Sequence, residues 1–396
     1  MSLMEEYINK RWGNIQFEVE LQRLIKEYNS KRGTYSFLYM VDFEKQVLES
    51  NLMQDDYYII FDLLNNMKGD KIDFFLETPG GSGEVAEEIV RFIRSEFDTV
   101  SFVITGQAKS AGTIIALSGD EICMTKTGSL GPIDAQMRIG RSINSSYDYL
   151  EWVEEKRKQA ENTGKLNPFD ASIVAQITPG EINRVVNAHN YAQDLVKEWL
   201  VKYKFKNWNK TESKNTPVTD SIKQERAAEI ARDLTNQKKW RTHGRSLKIN
   251  DLQELGLKIS SIDDDPVIAD IVYRIHVVCR FLFRLTNSIK IFATAENKIF
   301  RQIRPNTNAL PVQQILPLNN KKVNAVEFDV DCPQCGQKHH LYGKLMNDSK
   351  IGQEMKNKGR KNFPASHKIK CNCGNIIDLN TIKNNIEQTI KKKIIT

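Results

Sequence analysis

The 396-residue chain is short of several things, and each shortage excludes a class of protein. Six cysteines are too few for a disulfide scaffold at this length. No stretch reaches the roughly 18 uncharged apolar residues that a spanning helix needs. The most apolar run, residues 268–283, is broken by Arg274, His276 and Arg280. The first twenty residues hold no apolar leader core. These features predict a cytosolic, cytoplasmic protein without membrane insertion. No internal repeat, nucleotide-binding fingerprint, base-reading motif or aromatic stacking platform is visible. No histidine lies between Ser110 and His189, which bears on any serine chemistry.

What is present is ordinary in bulk, with 40% hydrophobic and 27% charged residues. The length predicts two or three folded units. The runs SFLYMVDF, KIDFFLE, TVSFVIT and EICMT read as strands. YYIIFDLLNNM, EVAEEIVRFIRS and SAGTIIALSG read as the helices between them. That alternation predicts βαβ units, a largely parallel sheet and an α/β fold. Phe17, Leu21, Leu24 and Tyr28 recur at helical spacing in an N-terminal segment, residues 1–33. Thr178-Pro179-Gly180-Glu181 has the form of a capped helix start. Residues 34–265 are expected to form the main domain. Residues 266–319 read as a helix, a β-hairpin and a linker with Pro305, Pro311 and Pro317. Residues 320–396 form a cysteine-bearing module.

The net charge of +7 is unevenly placed. From Asn320 to Thr396 there are 15 Lys and Arg against 7 Asp and Glu, so the remainder is close to neutral. A basic module suggests an acidic partner, either nucleic acid or protein, or else only a solvated lysine-rich surface.

Three short elements stand at successive strand-to-helix junctions: Thr78-Pro79-Gly80-Gly81, Lys109-Ser110-Ala111-Gly112 and Gly128-Ser129-Leu130-Gly131-Pro132-Ile133-Asp134. Neighbouring strand ends in a parallel sheet lie side by side, so these turns should cluster at one edge. That placement suits acyl transfer. A serine at a helix start exposes its hydroxyl beside free N–H groups. The amides of Gly81 and Ala111 are then placed to face a developing oxyanion. Glycine at 80 and 81 permits close approach of backbone to substrate. Losing one such donor costs about 10²–10³ in rate.

The segments TPGGSGEVAEEIVRFIR, GQAKSAGTIIALSGDEICM and GSLGPIDAQ, in this order, resemble the serine dehydrogenase proteinase family. That family is related to signal peptide peptidase A and to the Clp proteolytic subunit. The later segment WRTHGRSLKINDLQELGLKI resembles the family's closing element. The resemblance runs from Thr34 to Asp263. It implies a crotonase-like ββα superhelix, serine peptidase activity on peptide or protein substrates, and homo-oligomeric assembly. It assigns Ser110 as nucleophile, with Gly81 and Ala111 as oxyanion donors and Gly80 beside them. A Clp-type base would be a histidine about 25 residues after the serine, and this chain has none there. The signal-peptide-peptidase arrangement uses a lysine 40–55 residues on, before a capped helix. Lys165 is its best match, with Lys156 and Lys158 as alternatives; His189 falls on an apolar helix stripe and reads first as a core histidine, then as a base, and His243 stands on the same footing. A lysine base must be largely uncharged near neutral pH, which burial or nearby positive charge promotes. Asp134 reads first as a structural loop cap, and otherwise as a group that orients a lysine or water. Cys123 and Cys279 read as core thiols.

Cys332-Pro-Gln-Cys335 is followed by Cys371-Asn-Cys373, each pair closing on a glycine, Gly336 and Gly374. Such turns suit a zinc ribbon with one structural Zn²⁺ on four thiolates and no open position for substrate. His339, His340 and His367 are alternative ligands. No cofactor is expected for catalysis. The leading function is a cytosolic serine peptidase with a Ser110–Lys165 dyad. The alternatives are a non-catalytic crotonase-fold scaffold whose basic ribbon binds nucleic acid or protein, and an acyl-CoA enzyme using the same oxyanion geometry.

Overall fold

The structure is a computed structural model. It describes residues 2–395 apart from Gln46, Asn66, Lys68, 140–141, 212–214, 304–323, 333–334, Gly336 and Lys391. The prolines of the expected linker and the Gly336 turn lie outside the described residues. The chain forms two compact units, Met1–Ile303 and Arg304–Thr396.

The first unit is built on a mixed seven-stranded sheet. In chain order its strands are β1 (Tyr35–Val41), β2 (Lys71–Glu77), β3 (Thr99–Ile104), β5 (Glu121–Met124), β9 (Ser260–Ser261), β10 (Ser288–Ala293) and β11 (Lys298–Gln302). They lie in the order β11-β10-β1-β2-β3-β5-β9. β1, β2, β3, β5 and β9 run parallel, and the hairpin β10–β11 adds antiparallel strands beside β1. Four smaller strands lie outside it: β4 (Gln107–Ala108), β6 (Ser129–Leu130), β7 (Gln136–Ile139) and β8 (Ser142–Ser145).

The central strands are near-continuous apolar runs because both faces of the sheet are covered. Alternation then sorts each strand between two cores. Phe37, Tyr39, Phe74, Leu76, Phe102, Ile104, Ile122 and Met124 face one core, shared with helices Gly83–Glu96, Ala111–Leu117, Pro179–Trp199 and Asp220–Thr235. Leu38, Met40, Phe75, Val103 and Cys123 face the other, shared with helices Asn14–Arg32 and Pro266–Leu285. Each such large side chain contributes about 1.5–3 kcal/mol by leaving water. A single polar substitution at Phe74 or Phe75 would leave one of these cores with an unsatisfied group.

Phe17, Leu21, Leu24 and Tyr28 are all buried against the second face. The N-terminal helix and the 288–302 hairpin, read separately in the sequence, therefore share the core of the first unit. The charges that interrupt the 268–283 run are used in ion pairs: Arg280 meets Glu77 at 3.0 Å and Arg274 meets Glu6 at 2.9 Å. No helix among the described residues is long and apolar enough to cross a membrane.

In the second unit, strands Ala325–Asp331 and Lys338–Lys344 pair antiparallel, as do Lys368–Lys370 and Ile376–Asp378. Each cysteine pair sits at the turn of one of these hairpins.

Candidate active site

The end of β2 and the start of the Ala111–Leu117 helix meet through a short second ladder. Thr78 accepts from Lys109 N–H and donates to Gln107 carbonyl oxygen, both at 2.9 Å. β4 continues this pairing to β6, and Leu130 of β6 pairs with Leu247. The three sequence elements thus stand side by side, as their order along a parallel sheet predicts.

Gly80 and Gly81 occupy the left-handed side of backbone space, at φ 100° and 149°. A Cβ on Gly80 would come within 2.7 Å of Ser110 Cβ and 2.8 Å of Lys109 carbonyl oxygen. A Cβ on Gly81 would lie 2.5 Å from the Leu52 backbone. Close packing against the serine, rather than turn chemistry alone, requires glycine at 80.

Ser110 has φ 51° and ψ −118°, a region that non-glycine residues enter at a cost of about 1–3 kcal/mol. It precedes the helix, yet its hydroxyl makes no capping bond. It is half-buried, and no side chain among the described residues hydrogen-bonds the hydroxyl. The Ala111 N–H belongs to the first helical turn, which has no intrahelical acceptor. The Leu52 bridge uses Gly80 carbonyl oxygen and Ser82 N–H and passes over the N–H of Gly81. A strained serine with a free hydroxyl, flanked by two available amides, is chemically suited to attack a carbonyl and hold the resulting oxyanion.

Lys109 is 6% exposed, and its ammonium contacts Leu130 carbonyl oxygen at 2.9 Å, Arg245 carbonyl oxygen at 3.0 Å and Ser246 Oγ at 3.0 Å. Burial, with a smaller contribution from Lys248, pushes its pKa down to about 8. Near neutral pH it stays mostly charged, and its three protons match these three oxygens. It ties the serine turn to the loops on either side. The motif Lys-Ser-Ala-Gly contained this residue, but a lysine beside a serine carries no signal of where its side chain goes.

Asp134 is fully buried, and its Oδ1 lies 2.8 Å from His243 Nδ1. Gln136 Nε2 donates to its other oxygen at 2.6 Å. Burial raises the carboxyl pKa, but the bond and charge of His243, with the neighbouring donors, outweigh that and hold it low. His189 faces Ser146 Oγ at 3.3 Å through Nδ1 and Gln193 Nε2 at 2.8 Å through Nε2, so both ring nitrogens have partners. Burial lowers its pKa.

Lys165 is exposed on the connection between helices Ser146–Thr163 and Pro168–Val174. Lys156 pairs with Asp170 at 3.1 Å, a hydrogen bond that raises its pKa. Lys158 lies 3.5 Å from Glu154 on the surface. Thr178 caps its helix as the sequence predicts, accepting from Glu181 N–H at 3.1 Å. A cavity of about 710 Å³ opens beside this region, lined by residues that include Gln136, Ile143, Trp152 and Ile177.

In the second unit, the ligand atoms of Cys332, Cys335, Cys371 and Cys373 all lie within 4.8 Å of one another. Cys332 and Cys373 sulfurs are 3.6 Å apart, as are those of Cys335 and Cys371. Four thiolates at about 2.3 Å from a tetrahedral metal stand about 3.8 Å apart, so the cluster fits such an ion. Gly374 takes φ 91° after Cys373, the conformation the Cys-Gly turn needs. His340 instead meets Asp329 at 2.9 Å, and His367 meets Asn380 at 2.7 Å.

The family model described as the N-terminal domain of NfeD1b matches residues 60–183, a span that includes Ser110 and Lys165. Two uncharacterized proteins of Methanocaldococcus jannaschii are similar. One, MJ0137, is 24% identical over 62% of this chain and 75% of its own length. The other, MJ1495, is 26% identical over 48% of this chain and 52% of its own, so the chain spans about half of that relative. Among solved structures, two mutants of the membrane-bound stomatin-specific protease 1510-N are similar. The first is 15% identical with a TM-score of 0.31, covering 53% of this chain and 74% of that one. The second, in complex with a substrate peptide, is 17% identical with a TM-score of 0.30, covering 64% and 84%. ClpP1 from Listeria monocytogenes is 20% identical with a TM-score of 0.21, covering 35% and 78%. At these low scores the structural likenesses carry no part of the functional reading.

Proposed function

We propose that this chain is a serine hydrolase of the crotonase-like fold that cleaves peptide bonds through an acyl-enzyme on Ser110. The observation that carries the reading is the backbone of Ser110, held at φ 51° with an unbonded hydroxyl against Gly80. A residue kept in so costly a conformation without a capping role fits a nucleophile presented at a turn. Gly81 and Ala111 amides receive the oxyanion. Leu52 already bonds to Gly80 carbonyl oxygen and Ser82 N–H on one side of this backbone, so an extended substrate adds on the other. Sequence position nominates Lys165 as the proton acceptor. It stands exposed on the connection before helix Pro168–Val174. Self-association and a cytosolic setting belong to the same reading, as does a basic module that meets nucleic acid or an acidic protein.

In the second unit, the four cysteines hold one structural Zn²⁺. That supplies cross-linking enthalpy to a module with a small core and leaves no position open for substrate.

Labelling with a fluorophosphonate tests the hydrolase. Wild-type chain should take up the probe and Ser110→Ala should not. Equal labelling of the two would remove Ser110 from the chemistry.

A further inference from the structure

We propose that the buried ion pair of Lys290 and Asp56 positions the Gly81 amide as an oxyanion donor, acting through the backbone of Leu52. This rests on the Ser110 reading and concerns only the support of one of its two donors.

The pair is out of character with its surroundings. Lys290 lies in β10, a strand with every residue buried, and neither its side chain nor that of Asp56 has exposed surface. The ammonium stands 2.6 Å from Asp56 Oδ2. Taking two charges out of water is costly, and an apolar pair of the same volume stabilises a core as well or better. Stability alone therefore does not account for the pair.

Its other contacts converge on Leu52. Lys290 Nζ also donates to Asn51 carbonyl oxygen at 2.7 Å. Asp56 Oδ2 accepts from Met53 N–H at 2.9 Å. The residues on both sides of Leu52 are thus tied to one ion pair. Leu52, itself buried, donates its N–H to Gly80 carbonyl oxygen at 2.7 Å and accepts from Ser82 N–H at 3.1 Å. Gly81 is the residue opposite Leu52 in this parallel bridge. Its own N–H takes no part in the bridge and is turned to the other edge.

The contact is tight enough to transmit position. A Cβ on Gly81 would lie 2.5 Å from both the nitrogen and the carbonyl oxygen of Leu52. A Cβ on Gly80 would lie 3.2 Å from the Ala111 nitrogen, the other donor. Residues 51–53 belong to no helix or strand, so their place comes from the groups that hold them. Those groups are rooted in the sheet. Lys290 pairs in register with Val41 of β1. Tyr39 of β1 donates its hydroxyl to Asp56 Oδ2 at 3.0 Å, and Arg301 of β11 lies 3.5 Å from Asp56 Oδ1.

An oxyanion donor works only at about 2.7–3.1 Å from the charge it meets. Freeing Asn51 and Met53 lets Leu52 shift, and Gly81 moves with it. The serine then keeps its place while the oxyanion loses one donor. Lys290 and Asp56 are positioning residues and touch no reacting atom.

The test compares two reagents at position 110 of the full chain. Attack on a fluorophosphonate builds charge on a phosphoryl oxygen that the donors hold. Alkylation of a Ser110→Cys chain by iodoacetamide forms no oxyanion. Lys290→Met combined with Asp56→Asn removes both charges, keeps their volume and leaves an acceptor for Met53 N–H. This double variant should keep a melting temperature close to wild type and label with the fluorophosphonate about 10²-fold slower. In the Ser110→Cys background the same change should leave alkylation at position 110 unchanged, as read by mass spectrometry. Asp56→Asn alone, the milder change should the double variant not fold, should slow fluorophosphonate labelling about tenfold. Labelling of either variant at the wild-type rate overturns the proposal. So does a parallel fall in alkylation, which would make the pair a support of the whole turn. In both outcomes Ser110→Ala still abolishes labelling and the Ser110 reading survives. Undiminished labelling of Ser110→Ala removes that reading itself.

Discussion

The two units assemble their candidate sites in opposite ways. In the first, the turns around Gly80, Ser110 and Leu130, with the Leu247 segment far beyond them in sequence, are set side by side by strand register. In the second, four cysteines arrive in two tight pairs at the turns of two hairpins. One site is built on a scaffold with two apolar cores, and the other helps to build its own module. The difference teaches where each is fragile. The serine site should fail through small displacements of backbone with the fold intact. The cysteine site should fail together with the fold around it.

The sharpest way to break that contrast is Gly80→Ala. A methyl group at 2.7 Å from Ser110 Cβ must push the serine turn aside, and a displacement near 1 Å can cost about 10²-fold in rate. Fluorophosphonate labelling should fall by about that factor or more while circular dichroism stays native. A variant that labels normally would show that the Gly80 contact does not place the serine.

Metal removal probes the other side. Chelation, or Cys371→Ser, should unfold the second unit, since structural zinc contributes an apparent 10–16 kcal/mol or so to such modules. Proteolysis should then cut after about residue 324 while labelling at Ser110 persists. Elemental analysis should give one zinc per chain before treatment. A module that resists protease without metal would place its stability in the apolar cluster around Phe328, Phe363 and Ile386 instead.

The smallest expected effect lies at Lys109. Its pKa falls to about 8 because burial disfavours the ammonium. Between about 8 and the ordinary lysine value the unfolded chain binds more protons than the folded one, so stability rises with pH across that window. The contribution is full above the unfolded pKa and is lost as pH falls through about 8. Lys109→Met should show a smaller rise, the remainder belonging to Lys204, which burial also brings down to about 8, as read from urea midpoints at pH 7.5 and 10. Parallel pH dependence in the two proteins would locate the titration elsewhere.

Much of this architecture was legible in the residues alone. KIDFFLE and TVSFVIT become central strands because β-branched and aromatic runs of that length fit a sheet covered on both faces. Thr178-Pro179 starts a helix because capping chemistry acts over three or four residues. The cysteine quartet was visible for the same reason, since metal-ligand spacing is local. The turns at 80 and 110 were legible as motifs, and their meeting followed from the order of parallel strands.

Other features were decided only when the chain closed on itself. Asp134 and His243 are 109 residues apart, and nothing around either one names the other. Lys109 reads as one of 57 basic residues until burial and three oxygens give it a clamp's task. Lys165 has the sequence spacing of a base yet stands in solvent. Local propensities act over a few residues and are written in order along the chain. Side-chain partners at long separation depend on strand register and on which face each element turns inward, and those are settled by burying two apolar cores at once.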